Sequence, residues 1–183
     1  MLSMSNIISH RQQGVTLVEL IVVIAIVAIL TQIAVPSFVS LTQRMRLLAH
    51  ASALSSVFSF ARSEALKRGV PVSVCVSSNG SGCLTNGAWE SGWIAYEDPA
   101  GTGAVGTILK VQLTLASSDT IRASNSTSTM TFSRDGFAIM TSATNLITFA
   151  IHTIPTNTAA TRCVAVTNIG RLSTQLAGTG GCS

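Results

Sequence analysis

Between Val15 and Val35 the chain reads VTLVELIVVIAIVAILTQIAV, an apolar run with a single charged residue, Glu19. At 1.5 Å per helical residue the run spans roughly 30 Å, the thickness of a bilayer's hydrocarbon core. It reads as one membrane-spanning helix, and nothing downstream repeats it. The overall figures, 47% hydrophobic and 10% charged, first suggest an integral membrane protein, but the apolar excess sits in this one place. The remainder of the 183 residues is enough for one ordinary domain with a real core.

What precedes the run is as informative. Residues 1–14 are polar, with His10, Arg11, Gln12 and Gln13 just before Gly14. A secretory signal has the opposite order, an apolar stretch followed by a small-x-small cleavage site, and no good site of that kind precedes Pro36. Arg11 before the span fits a cytoplasmic N-terminus, which leaves the rest of the chain outside. The four cysteines, Cys75, Cys83, Cys163 and Cys182, all lie on that outer side and lack the CxxC spacing of zinc or redox sites. Two disulfides in an oxidising compartment are expected. Of the three connectivities, Cys75 with Cys83 and Cys163 with Cys182 closes short loops flanked by turn residues; the sequence leaves the choice open.

Gly14-Val15-Thr16-Leu17-Val18-Glu19-Leu20 resembles the class III prepilin motif of type IV pilins and type II secretion pseudopilins. The resemblance implies that a membrane peptidase cuts between Gly14 and Val15 and methylates the new N-terminus. Val15 departs from the usual phenylalanine. The family's glutamate five residues into the mature chain maps onto Glu19, and its helix-kinking proline onto Pro36. Physics independent of the name bears on Glu19: an ionised carboxylate inside an apolar span costs about 2.5–3.5 kcal/mol unless paired. Cleavage after Gly14 would create an α-amino group, and a neighbouring subunit in a helical bundle could supply it. The alternative is a glutamate that snorkels from an ordinary anchor.

Past Pro36, Leu47, Ala51, Leu54, Phe58, Ala61 and Ala65 fall four and three apart, one apolar stripe on a helix. Arg44, Arg46, His50, Ser52, Ser55, Ser56, Ser59, Arg62, Ser63 and Lys67 fill the opposite face, and Gly69 before Pro71 predicts the helix end. The stripe is expected to pack on a sheet. The period then shortens to strand-like runs: Val70–Val76, Gly92–Glu97, Thr107–Leu113, Thr129–Ser133, Phe137–Met140, Leu146–Ile151 and Arg162–Thr167. The expected organisation is a leader over 1–14, a transmembrane and filament-core helix over 15–36, an amphipathic helix over 37–69 and a β-rich periplasmic domain over 70–183. That is an α+β, pilin-like plan in which a long N-terminal helix packs on an antiparallel sheet region.

Within the pilins, the outer domain resembles the GspH/FimT branch on Arg62-Ser63-Glu64-Ala65, the Cys75 strand, Trp89, Gly92-Trp93-Ile94-Ala95-Tyr96 and Gly170-Arg171. Trp89 and Trp93 themselves read as buried aromatics at a strand entrance. The resemblance implies a minor pilin or pseudopilin of a type IV pilus or type II secretion pseudopilus, in the priming or tip complex. Its partners would be other pilins or pseudopilins, the prepilin peptidase and the inner membrane, with the C-terminal domain in the periplasm. An alternative use follows from DNA-receptor minor pilins, which have a C-terminal Gly-Arg motif with a second arginine two residues on. Gly170 and Arg171 match, Ser173 stands at the second arginine's place, and Lys110 is the loop lysine that could assist. A net charge of +4 is too small and scattered to argue for nucleic acid by itself.

No catalytic, metal or cofactor constellation is legible. His50 and His152 lack metal-site spacing, and no GxSxG elbow occurs. Gly101-Thr102-Gly103-Ala104-Val105-Gly106 matches GxGxxG but leads into a strand-like run, so it reads as a loop. Glu97 and Asp98 lack a third carboxylate for calcium and read as a solvated turn before Pro99. Asn79 and Asn125 open glycosylation-type sequons that many turns also match.

Overall fold

The computed structural model describes residues 14–86, 88–115, 118–140, 145–180 and 182. Thr16 is where the first helix, α1 (Leu17–Arg68), begins. The Thr16 hydroxyl accepts from the Glu19 amide at 3.2 Å and its carbonyl accepts from Leu20 N–H at 3.2 Å. This is an N-cap with an acidic residue in the first turn, where the helix dipole favours negative charge. Two compact units divide after Val39.

In the first unit the valine- and isoleucine-rich run is helical despite its modest helix propensity. A helix satisfies every backbone group internally, which is what a lipid solvent demands. Pro36 lies inside the helix, and its ring nitrogen leaves the Gln32 carbonyl without the usual donor.

In the second unit, Leu47, Ala51, Leu54, Val57, Phe58, Ala61 and Ala65 are all buried. The helix ends where Gly69, at φ +70°, donates its amide to the Ala65 carbonyl at 3.0 Å in a left-handed cap. The strands are β1 (Val72–Val76), β2 (Gly92–Glu97), β3 (Ile108–Leu113), β4 (Thr120–Ala123), β5 (Thr129–Phe132), β6 (Ala138–Ile139), β7 (Leu146–His152), β8 (Arg162–Thr167) and β9 (Leu172–Leu176). They form two antiparallel sheets, ordered β3-β2-β1-β5-β6 and β4-β7-β8-β9. Phe58 joins helix to sheets: its ring lies 5.6 Å from Trp89, 5.0 Å from Phe149 and 6.3 Å from Phe132. Trp89 is buried and donates its indole N–H to the Thr127 carbonyl at 2.9 Å, so the aromatic is core and its polar atom is satisfied.

The structure departs from the sequence expectation in three places. β4 and β9 are strands that the sequence did not announce; Leu-Ser-Thr-Gln-Leu in β9 is a half-exposed edge strand and lacks the alternation that a buried face imposes. Asp98 does not sit in a solvated turn. It is buried, accepts from the amides of Thr102 (3.0 Å) and Gly103 (2.9 Å), and faces the Ser73 hydroxyl, so the GxGxxG-like loop is folded around this carboxylate. Of the polar helix face, Arg46, His50 and Arg62 are ties to the sheets.

Candidate functional site

The N-terminal segment is built from the Thr16 cap outward. Gly14 precedes the helix, and a Cβ placed on it would meet nothing within 4 Å among the described residues, so they impose no steric need for glycine there. Val15 is 73% exposed, Leu17 74% and Ile33 72%; the apolar side chains from Val15 to Val39 are all exposed and bury nothing. Covering such surface is worth about 1.5–3 kcal/mol per large aliphatic side chain, so a segment with this many of them demands a lipid or protein surround. Glu19 occupies the first turn, two residues into the helix, at the end whose free amides favour a carboxylate. The Thr-x-x-Glu spacing of a capping box is the sequence signal that marks the Thr16 cap, hidden in plain view inside the processing motif.

The Gly170-Arg171 pair sits in the turn between β8 and β9. Gly170 is at φ +73°, and a Cβ on it would lie 2.3 Å from the Gly136 carbonyl oxygen and 2.9 Å from Arg62 Nε. Arg62 fills that crevice. Its Nε donates to Gly136 O (2.9 Å), Nη1 to Gly170 O (2.9 Å) and Nη2 to Ile169 O (3.2 Å), so one guanidinium holds the β5–β6 and β8–β9 turns together. The glycine of the pair is therefore explained by packing. Arg171 projects from the same turn and is exposed, its backbone tied to Thr167.

Lys110, on β3, stands 5.4 Å from the ring of Phe60. Phe60 and Arg62 are about 200° apart on a helix that turns 100° per residue. Lys110 and Arg171 consequently flank opposite sides of α1, and the fold does not bring them together.

A further tie, one that no sequence motif announces, lies at the start of β4. Asp119 is buried and accepts two bonds from Arg46, at 2.6 Å from Nε and 2.8 Å from Nη2, with His50 Nε2 3.1 Å away. Hydrogen bonding to Asp119 raises the Arg46 pKa above its ordinary value. Nothing in the sequence around Asp119 marks it, because the pairing spans 73 positions. His152 faces the Thr161 hydroxyl at 3.2 Å. Among the described residues no group of three His, Cys, Asp or Glu side chains could hold a metal. Cys75 is bonded to Cys83 and Cys163 to Cys182, and the second bond fastens the chain's end to β8.

Comparison with known proteins bears on the fold and on the N-terminal segment. Residues 50–170 match the family described as "Type II transport protein GspH", and residues 9–32 match the "Prokaryotic N-terminal methylation motif". The type IV narrow pilus major component PilA5 of Thermus thermophilus is 40% identical over 85 residues, 44% of this chain and 72% of that one. The crystal structure of the type IV minor pilin FimU of Pseudomonas aeruginosa superposes with a TM-score of 0.60 at 21% identity, over 76% of this chain and 95% of that one. A second crystal form gives 0.57 at 20% identity, over 73% and 95%.

Proposed function

Because this chain belongs to the type IV pilin-like GspH/FimT family, whose members are structural subunits and not enzymes, we propose that it is a minor pilin or pseudopilin acting in the priming or tip complex of a type IV pilus or type II secretion pseudopilus. The observation that carries this reading is the wholly exposed apolar helix from Leu17 to Val39 in a chain whose other unit has its own core. Such a segment is stable only in a bilayer or in a bundle of like helices, and a subunit that moves between the two uses both.

Processing supplies the transition. Cleavage between Gly14 and Val15 removes the polar leader and leaves an α-amino group, N-methylated on Val15, at the tip of the exposed segment. A neighbour's amino group would then neutralise Glu19 in the filament core, and the span would lose its one buried-charge penalty. Pro36, which frees the Gln32 carbonyl, gives the helix a place to yield as it packs. Gly14 supports this view, since nothing among the described residues requires glycine there. The anchor would lie in the inner membrane and the domain in the periplasm, where both disulfides can form.

The test is a count of surface pili in a retraction-blocked strain with and without the gene, with exoprotein export measured alongside. Loss of pili assigns the protein to the pilus, and exoproteins stranded in the periplasm assign it to secretion. Absence of both effects would overturn the proposal. A mature N-terminus other than methylated Val15 would overturn the processing step. The DNA-receptor alternative depends on Arg171 and Lys110, which face opposite flanks of α1; Arg171→Ala should leave DNA binding by the full chain in detergent unchanged, and a loss of that binding would revive it.

A further inference from the structure

Four strands end the two sheets, and two of them are already covered. β6 is closed by its Ala138 amide, which donates to Asn168 O at 2.8 Å, and β4 by the Ile121 amide, which donates to the Glu90 carboxylate at 3.0 Å. Among the described residues β3 remains open along its outer edge and β9 over Leu172–Thr174, its last carbonyl, Leu176 O, accepting from Thr179 N–H and Oγ1. In β9 the ladder fixes which groups point outward. Thr167 N–H bonds Arg171 O at 3.0 Å, and Ala165 pairs with Ser173, so the alternation of an antiparallel ladder turns the amides and carbonyls of Leu172 and Thr174 away from β8.

Those two residues line a groove. Leu172, Arg171, Arg62 and Leu66 border one depression of about 470 Å³, and Thr174, Leu48 and Ser52 border another of about 530 Å³; the two share Ser59. The helix wall between Leu48 and Leu66 is about 27 Å long at 1.5 Å per residue and carries serines at 52, 55, 56, 59 and 63, which leave room for a backbone. Its floor offers a strand edge. A partner helix has no free backbone groups for that edge, whereas an extended segment satisfies it.

Charge selects the partner. Of the outer domain's acids, Glu64, Glu90, Glu97 and Asp119 are engaged in ion pairs, Asp98 in amide bonds, and exposed Asp135, in the β5–β6 turn and on neither open edge, lies 3.9 Å from Arg134. The open edges are basic, with Lys110 on β3 and Arg171 at the entrance of β9. A second copy would therefore bring an edge without a carboxylate. We infer that the α1–β9 groove receives an extended, acid-bearing segment of a different filament subunit, which adds a strand to β9 and sets a carboxylate against Arg171. The inference rests on the filament role proposed above. Two arginines beside a half-apolar groove are too few for a membrane or nucleic-acid surface, which is held by many basic contacts, each of them weak.

The experiment places a photo-crosslinking p-benzoylphenylalanine at Ser56 of the full chain in the native membrane, with an exposed control at Thr158, and identifies adducts by mass. The expected adduct is a different protein bearing its own N-terminal methylation motif, crosslinked through an acidic extended segment, with no such adduct at Thr158. Thr174→Pro removes an outward amide without touching the β8 ladder and should cut the yield about five- to ten-fold, the effect of one lost backbone bond and a blocked edge. Arg171→Glu should cut it similarly and Arg171→Lys much less. Formation of the Cys163–Cys182 bond checks that each variant folds; if Thr174→Pro fails that check, the arginine pair decides. An adduct with a second copy, with lipid or with nucleic acid, an unchanged yield in the folded variants, or no adduct overturns the inference. Where pilus counts or export still respond to the gene, such a failure falls on the groove alone.

Discussion

Replacing Arg62 by Ala should loosen two turns and leave the rest of the domain alone. The magnitude follows from its three bonds. Those to Gly136 O and Gly170 O, both at 2.9 Å, reach buried residues, and the 3.2 Å bond to Ile169 O lies at the surface. A charged donor to a carbonyl is worth about 1.5–3 kcal/mol when shielded and little when exposed. Truncation also lets water reach the carbonyls, so about 2–3 kcal/mol is expected in total. Lysine has one ammonium for three diverging acceptors and should recover about 1 kcal/mol.

Hydrogen exchange by mass spectrometry on the full chain in detergent reads this locally. In Arg62→Ala, amides in 133–140 and 167–171 should exchange about 30- to 150-fold faster, the population equivalent of 2–3 kcal/mol, while β1 and β2 keep their protection. Arg62→Lys should fall between. Unchanged exchange in the two turns would refute the clamp. A uniform rise across the domain would refute its locality, since Arg62 would then contribute as one more core contact.

Gly69→Ala and Gly170→Ala both force alanine into positive φ, at about 1–2 kcal/mol, but only at Gly170 does the new Cβ meet a carbonyl at 2.3 Å; thermal melts should show Gly170→Ala lower by several degrees more, and equal melts would refute the crevice. At Glu90 burial alone would raise the pKa, but hydrogen bonds from Arg122 and the Ile121 amide lower it further, and at Glu64 the bond from Arg68 lowers it. A depressed folded pKa means that the unfolded chain binds more protons, so stability is full above the unfolded carboxylate range and falls as pH drops below about 4.5; Glu90→Gln should flatten that fall in urea titrations at about pH 3–6. Reducing the disulfides should cost about 2.5 kcal/mol for the eight-residue separation and about 3 kcal/mol for the nineteen-residue one, measured as two steps with Cys75/Cys83 and Cys163/Cys182 double serine variants.

How much of this was legible depended on the range of each interaction. The α1 stripe from Leu47 to Ala65 could be read because a helix repeats its face every three to four residues, and the left-handed Gly69, two residues before Pro71, marked its end. The strands buried on a face, β1, β2, β7 and β8, left apolar runs. β4 and β9 did not, because a sheet-edge strand exposed to solvent needs no alternation; β4 is placed by one buried residue, Ile121, and by its pairing with β7. Asp98 and Asp119 were opaque for the opposite reasons. The first looked like a turn acid because its partners are backbone amides, which no sequence displays; the second has a partner 73 positions away.

The Gly-Arg pair shows how the two levels separate. Read as letters, Gly170-Arg171 invites a ligand, because an arginine after a flexible residue is how a phosphate contact would look. In the fold the two residues do different work. Gly170 is fixed by the backbone of another turn and by Arg62, 108 positions away, so glycine there follows from crowding whatever Arg171 does. Arg171 is left exposed at the mouth of an open strand edge, and nothing in the packing of its own turn accounts for its charge. A Gly170 variant therefore tests stability, an Arg171 variant tests binding, and a phenotype shared by both would mean that the turn itself is the contact surface.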